Sequence, residues 1–122
     1  MNLNTINEIA SELFLALKNQ ETISPLSDKY EEIDINDAYQ ISRKFLSMRE
    51  DHGEKVIGKK IGVTSTVVQE MLGVNQPDFG FLTDYMHVKN KCDFSIEDSL
   101  IQPRAEAEIA FILKEDIQGP GI

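Results

Sequence analysis

Ile6, Ile9, Ala10, Leu13, Phe14 and Leu17 recur at the three- and four-residue spacing that sets side chains on one face of a helix. Thr5 followed by Glu8 gives the pattern of a capping box at its start. Residues 21 to 33, which hold Ser24-Pro25-Leu26-Ser27, read as a loop. A second helix follows, with Asp34 as its N-cap and Asp37 in its first turn. Its apolar stripe is Ile35, Ala38, Tyr39, Ser42, Phe45 and Leu46, with Gln40, Arg43 and Lys44 largely off that face. Both stripes imply packing, and a partly exposed Tyr39 is also suited to line a pocket.

Past His52-Gly53 the period shortens. Lys55 to Val63 is β-branched-rich and punctuated by glycine, which predicts a strand. Alternation sets Val56, Gly58, Lys60, Gly62 and Thr64 on one face, and Ile57, Ile61 and Val63 on the other. Ser65 then caps a short helix through Val67, Val68, Met71 and Leu72, closed by Gly73. Asn75-Gln76-Pro77-Asp78-Phe79-Gly80 reads as a turn-rich loop. Phe81 to Val88 reads as a strand, Lys89 to Asp93 as a polar turn, and Glu106 to Leu113 as a firmer strand. Gly119 to Ile122 has the composition of a linker.

Composition narrows the classes. The 122 residues are 41% apolar and 27% charged, which permits one modest core and argues against disorder. The net charge of −9 repels a phosphate backbone, and Lys59-Lys60 is too small a cluster to outweigh it, so nucleic acid is not an expected partner. The lone Cys92 cannot form an internal disulfide and fits a reducing compartment. No apolar run reaches about 18 residues, and no secretory leader pattern opens the chain. The expectation is a cytoplasmic protein that does not engage a membrane.

Glu106 and Glu108 carry the first candidate chemistry. On a strand they share a face, with Cβ atoms roughly 6–7 Å apart. Two such carboxylates repel unless they are protonated, solvated or neutralised by a cation, and Mg²⁺ or Mn²⁺ suits oxygen ligands. A solvent-facing strand face fits the spacing as well. Lys60, flanked on its face by Gly58 and Gly62, has room for a ligand beside its ammonium. A partly desolvated lysine has a depressed pKa and serves as acid, base or enolate stabiliser, whereas a surface lysine needs no such role. Thr64 and Ser65 at a strand-to-helix junction suit a carboxylate ligand or a simple N-cap. Asp78 lies in a Pro-Asp turn, where a structural Asx role competes with a chemical one. His52 and His87 lack partners at metal-ligand spacing. Neither a P-loop, a Rossmann fingerprint nor a nucleophile elbow is present.

Three runs in order change the weight of these signals: Gly58-Lys59-Lys60-Ile61-Gly62-Val63-Thr64-Ser65, Leu72-Gly73-Val74-Asn75-Gln76-Pro77-Asp78-Phe79-Gly80, and Ile101-Gln102-Pro103-Arg104-Ala105-Glu106-Ala107-Glu108-Ile109-Ala110-Phe111. Together they resemble the 2-keto-4-pentenoate hydratase family, which includes 4-oxalocrotonate decarboxylases and is related to fumarylacetoacetate hydrolase. The resemblance covers the whole chain and corresponds to the family's N-terminal half. It implies an α+β fold, with two N-terminal helices (residues 1–52) packed on the first part of a mixed β-rich catalytic core (residues 53–122), incomplete at the C-terminus. It implies that Glu106 and Glu108 are two of three metal-binding glutamates, the third lying beyond Ile122. Lys60 corresponds to the active-site lysine, Asp78 to an acidic residue near the substrate, and Thr64 and Ser65 to the motif beside the substrate carboxylate.

The implied activity is a hydro-lyase that adds water to 2-hydroxypenta-2,4-dienoate, giving 4-hydroxy-2-oxopentanoate in the meta-cleavage catabolism of aromatic compounds. Its cofactor is Mg²⁺ or Mn²⁺, its partner a small 2-oxo or 2-hydroxy dienoic acid, and its expected assembly a homo-oligomer. Two alternatives stand beside it: a decarboxylase of the same family, and a catalytically incompetent module that only folds or associates. The 122 residues alone are expected to show weak activity or none.

Overall fold

The computed structural model describes residues 1–120, so the end of the expected linker lies outside the described residues. Helix α1 runs Leu3–Asn19, with Ile6, Ile9, Ala10 and Phe14 buried along one side. Its cap is Asn2, whose Oδ1 accepts from the Thr5 amide at 3.0 Å and the Thr5 hydroxyl at 3.2 Å. The expected Thr5–Glu8 box is therefore displaced, because Asn2 satisfies the free amides three residues earlier. Within residues 21–33, expected to be loop throughout, Leu26–Lys29 forms a single helical turn, α2. Leu26 packs on the core there.

Helix α3 spans Ile35–Asp51 and begins as expected at Asp34. Asp34 accepts from the Asp37 amide at 2.8 Å, while Asp37 accepts from the Asp34 amide at 3.4 Å, which makes a reciprocal capping box. The Met1 ammonium also donates to Asp37 at 2.9 Å. The buried side of α3 is Asp37, Ile41 and Arg49, with Phe45 and Met48 partly buried, whereas Ile35 is half exposed. The predicted stripe is thus rotated: ion pairing let two charged residues occupy the inner face, a possibility that apolar periodicity does not register.

The core is helical. Ile6, Ile9, Ala10 and Ile41 form it, with Leu13, Tyr30, Ile33 and Phe45 around them. Complete burial of Ile9 alone contributes roughly 1.5–3 kcal/mol. Phe14 sits edge-on to Phe45 at 6.4 Å and against His52 at 4.7 Å. The His52 ring Nδ1 also lies 2.8 Å from the Met48 carbonyl, which accounts for that histidine structurally.

Strand β1 (Val56–Gly62) pairs antiparallel with β2 (Asp78–Thr83), and helix α4 (Thr66–Leu72) lies between them in sequence. Gly73 closes α4 in the left-handed region at φ +69°, as its composition predicted. The register sets Lys60 opposite Gly80 and Gly62 opposite Asp78, with an irregularity between Val56 and Gly58. β2 begins earlier than predicted and stops at Thr83, where Asp84–Met86 form a 3₁₀ turn. Asp84 Oδ1 accepts from the Lys55 and Tyr85 amides at 2.8 and 3.1 Å, a local alternative that ends the ladder.

Glu106–Leu113 is not a strand. These residues form no regular element, and Ile109, Phe111 and Ile112 are 81%, 83% and 100% exposed. Alternating apolar residues make a strand only where a neighbour accepts their backbone bonds, and among the described residues none pairs with this segment. Among the described residues the fold is α+β, with four helices and a two-stranded antiparallel sheet.

Candidate functional site

Opposite residues of an antiparallel pair point to the same face, so Gly58, Lys60, Gly62, Asp78 and Gly80 share one side of the hairpin. Phe79 and Phe81 take the other side, where Tyr39 of α3 stacks on Phe79 at 4.8 Å. Tyr39 is therefore a packing residue that backs the sheet from behind Lys60. Asp78 lies over Gly62: a Cβ at that glycine would stand 2.5 Å from Asp78 Oδ1. Only glycine leaves the carboxylate in this position. On one face of an antiparallel pair, diagonal neighbours such as Lys60 and Asp78 are roughly 7–8 Å apart.

Lys60 reaches away from the hairpin to both members of the glutamate pair. Its Nζ is 2.8 Å from Glu108 Oε1 and 3.3 Å from Glu106 Oε2. The two carboxylates thus converge on one cation although their segment is not a strand. Glu108 first, then Glu106, holds the ammonium above its ordinary range, against a smaller opposing effect of burial. The depressed lysine pKa expected from burial is not what this arrangement gives. Lys60 is 44% exposed, and its two carboxylate partners favour the charged form. Such a lysine donates a proton or binds an anion.

Thr64 and Ser65 follow at the end of β1, both exposed. Between them and Gly62 stands Val63 at φ +53°, a conformation costly for a β-branched residue. Gln69 of α4 donates to the Val63 carbonyl at 2.8 Å and helps hold it there. Ser65 is the N-cap of α4, but its hydroxyl makes no capping bond and points to no partner within the helix.

Behind the site lies a polar joint that sequence reasoning missed. Arg49 donates from Nε to both oxygens of Glu54, at 3.0 and 2.9 Å, and from Nη2 to the Thr83 hydroxyl at 3.2 Å. Thr83, wholly buried, donates in turn to Glu54 at 2.6 Å. Burial pushes the Glu54 carboxyl up, but the Arg49 and Thr83 hydrogen bonds together hold it below its ordinary value. The signal available in sequence was only an arginine five residues before a glutamate, with no hint of Thr83.

Among the described residues no group of three or more His, Cys, Asp or Glu is arranged around a common point. The pair Glu106 and Glu108 nevertheless fits part of a hard-cation site, since both direct oxygens at a single positive charge. Mg²⁺ is commonly held by one or two carboxylates, with water and substrate oxygens completing its shell. Two hollows on the surface, one between Met1, Tyr30 and Asp37 and one between Leu13, Phe45 and Ile101, lie elsewhere. No helix among the described residues is long and apolar enough to cross a membrane.

No protein-family model matches the chain. Individual proteins do. All of it aligns at 53% identity with 55% of the 2-hydroxypent-2,4-dienoate hydratase of Pseudomonas putida. Ninety per cent of it aligns at 56% identity with 42% of the 2-hydroxyhexa-2,4-dienoate hydratase of Comamonas testosteroni. Among solved structures it is similar to the 4-oxalocrotonate decarboxylase of Pseudomonas putida G7 complexed with magnesium and adipate. That match has a TM-score of 0.67 and 28% identity, over 70% of this chain and 32% of the other. The chain spans about half the length of the curated relatives it matches. Along that span the chain is similar to hydratases of this kind, including the 2-keto-4-pentenoate hydratase of Paraburkholderia xenovorans LB400, at 40% identity over 90% of this chain and 40% of that one.

Proposed function

We propose that this chain serves a metal-dependent hydro-lyase that adds water to 2-hydroxypenta-2,4-dienoate, in the meta-cleavage catabolism of aromatic compounds. The observation that carries the reading is the convergence of Glu106 and Glu108 on Lys60, in a chain 53% identical throughout to a hydratase of that substrate class. Glu106 and Glu108 would hold Mg²⁺ or Mn²⁺, supported by the magnesium and calcium complexes of the similar decarboxylase. When bound, the ion supplies Lewis-acid stabilisation of negative charge on the 2-oxo oxygen.

Lys60 donates a proton to the terminal carbon of the dienol, and its amine takes up the proton that leaves the enol oxygen, so that the ammonium is restored. The product is the α,β-unsaturated ketone. Water then adds its oxygen at C4 and a proton at C3, giving 4-hydroxy-2-oxopentanoate. Asp78, on the face of Lys60, orients that lysine or the water, and the Thr64 and Ser65 hydroxyls bind the substrate carboxylate. The remaining assignments belong to the same reading: residues 1–52 as a helical region, and 53–122 as the first part of a fumarylacetoacetate hydrolase-like core. So do a homo-oligomer and a cytoplasmic location, which the single cysteine fits.

The test is the loss of dienoate absorbance in the presence of Mg²⁺, with the chain extended to the length of its relatives. Turnover abolished by Glu106→Ala is the expected result, and no turnover by the extended wild type sinks the reading. The 122 residues alone are expected to bind Mg²⁺ more weakly than micromolar by calorimetry. The decarboxylase similarity favours a second reading, CO₂ release from 4-oxalocrotonate, which the same preparation decides.

A further inference from the structure

Three glycines share a face with Lys60, and one has a local reason to be glycine. Gly62 must make way for Asp78, whereas a Cβ at Gly58 would make only ordinary contact with Leu82 at 3.8 Å. Gly80 is the most open of the three. It lies directly across the ladder from Lys60, its φ is not in the left-handed region, and a Cβ built on it meets nothing within 4 Å among the described residues. A glycine inside a strand weakens that strand, so a position with neither a conformational nor a packing need for it calls for another cause.

We infer that Gly80 is a specificity-determining position, leaving the strand bare beside the Lys60 ammonium so that a planar 2-oxo or 2-hydroxy acid can lie flat on it. This deepens the hydratase reading and rests on it. Directly opposed side chains in an antiparallel pair have Cβ atoms about 4.5–5.5 Å apart. Any side chain at Gly80 therefore stands beside the stem of Lys60, on the strand surface that the conjugated chain of the acid would cover. Asp78 and Lys60 bound this bare patch with opposite charges, which favours a ligand with a carboxylate at one end and an uncharged chain towards the other.

The test uses the ¹⁵N-labelled chain, titrated with 2-oxopentanoate and Mg²⁺ into the millimolar range and followed by NMR. Thermal unfolding is measured on the same samples. Gly80→Ala is expected to keep or raise the melting temperature while weakening 2-oxopentanoate by about tenfold or more. Gly62→Ala, which meets Asp78, is the control expected to lower it. A Gly80→Ala variant that loses stability as Gly62→Ala does overturns the inference, because the glycine is then needed for packing. Unchanged affinity overturns it as well, leaving the hydratase reading intact. A wild-type chain whose Lys60 and Gly80 resonances ignore the probe overturns the inference, whereas the hydratase reading falls only if the extended chain shows no turnover.

Discussion

Glu54 carries a negative charge in a setting only 13% exposed, against an Arg49 guanidinium that is 9% exposed. Its carboxyl is held below the ordinary value of 4.5, so the folded state binds its proton less readily than the unfolded chain. The stability this adds is complete above that value and is lost as pH falls through the folded pKa. Glu54→Ala, which leaves a buried guanidinium unpaired, should cost about 3 kcal/mol at neutral pH. The deficit should shrink below pH 4.5; urea unfolding at neutral and acid pH measures both, and a pH-independent deficit would contradict the ion-pair account. At this scale the sequence was informative about residue type and silent about partners. The face that Lys60 shares with Gly58 and Gly62 was legible, but its charge state depends on Glu106 and Glu108, more than forty residues away. Arg49 and Thr83 were not legible, since nothing local marks a guanidinium as buried.

Elements that complete their own hydrogen bonds were read well. The Asp34 cap and α4 with its Gly73 closure were legible because caps and a left-handed glycine act over a few residues, and β1 was legible from its β-branched residues and glycines, with β2 close enough in sequence to receive its bonds. Asp34→Ala removes one half of the α3 capping box and should destabilise the chain by about 1 kcal/mol, seen as a lower urea midpoint with unchanged slope. No shift in the midpoint would mean that the Met1–Asp37 pair alone holds the first turn. The segment Glu106–Leu113 was misread for the complementary reason. Its pattern is that of a strand, but a strand's hydrogen bonds belong to its neighbour, and pattern alone cannot supply one.

Across the whole molecule, packing is uneven. The apolar core lies between α1 and α3, whereas α4 buries no side chain and the residues after Leu100 are almost wholly exposed. Native-state hydrogen exchange should therefore show α1 and α3 protected close to global stability, with α4 and residues 104–118 exchanging early. Equal protection in α4 would contradict this picture. The hairpin is joined to the helices chiefly by the Arg49–Glu54–Thr83 joint at one end and the Tyr39–Phe79 stack nearer the other. The setting of the face that carries Lys60 on the helices therefore rests on these few side chains and not on the apolar core, so a change at Arg49 or Tyr39 reaches the site without passing through it.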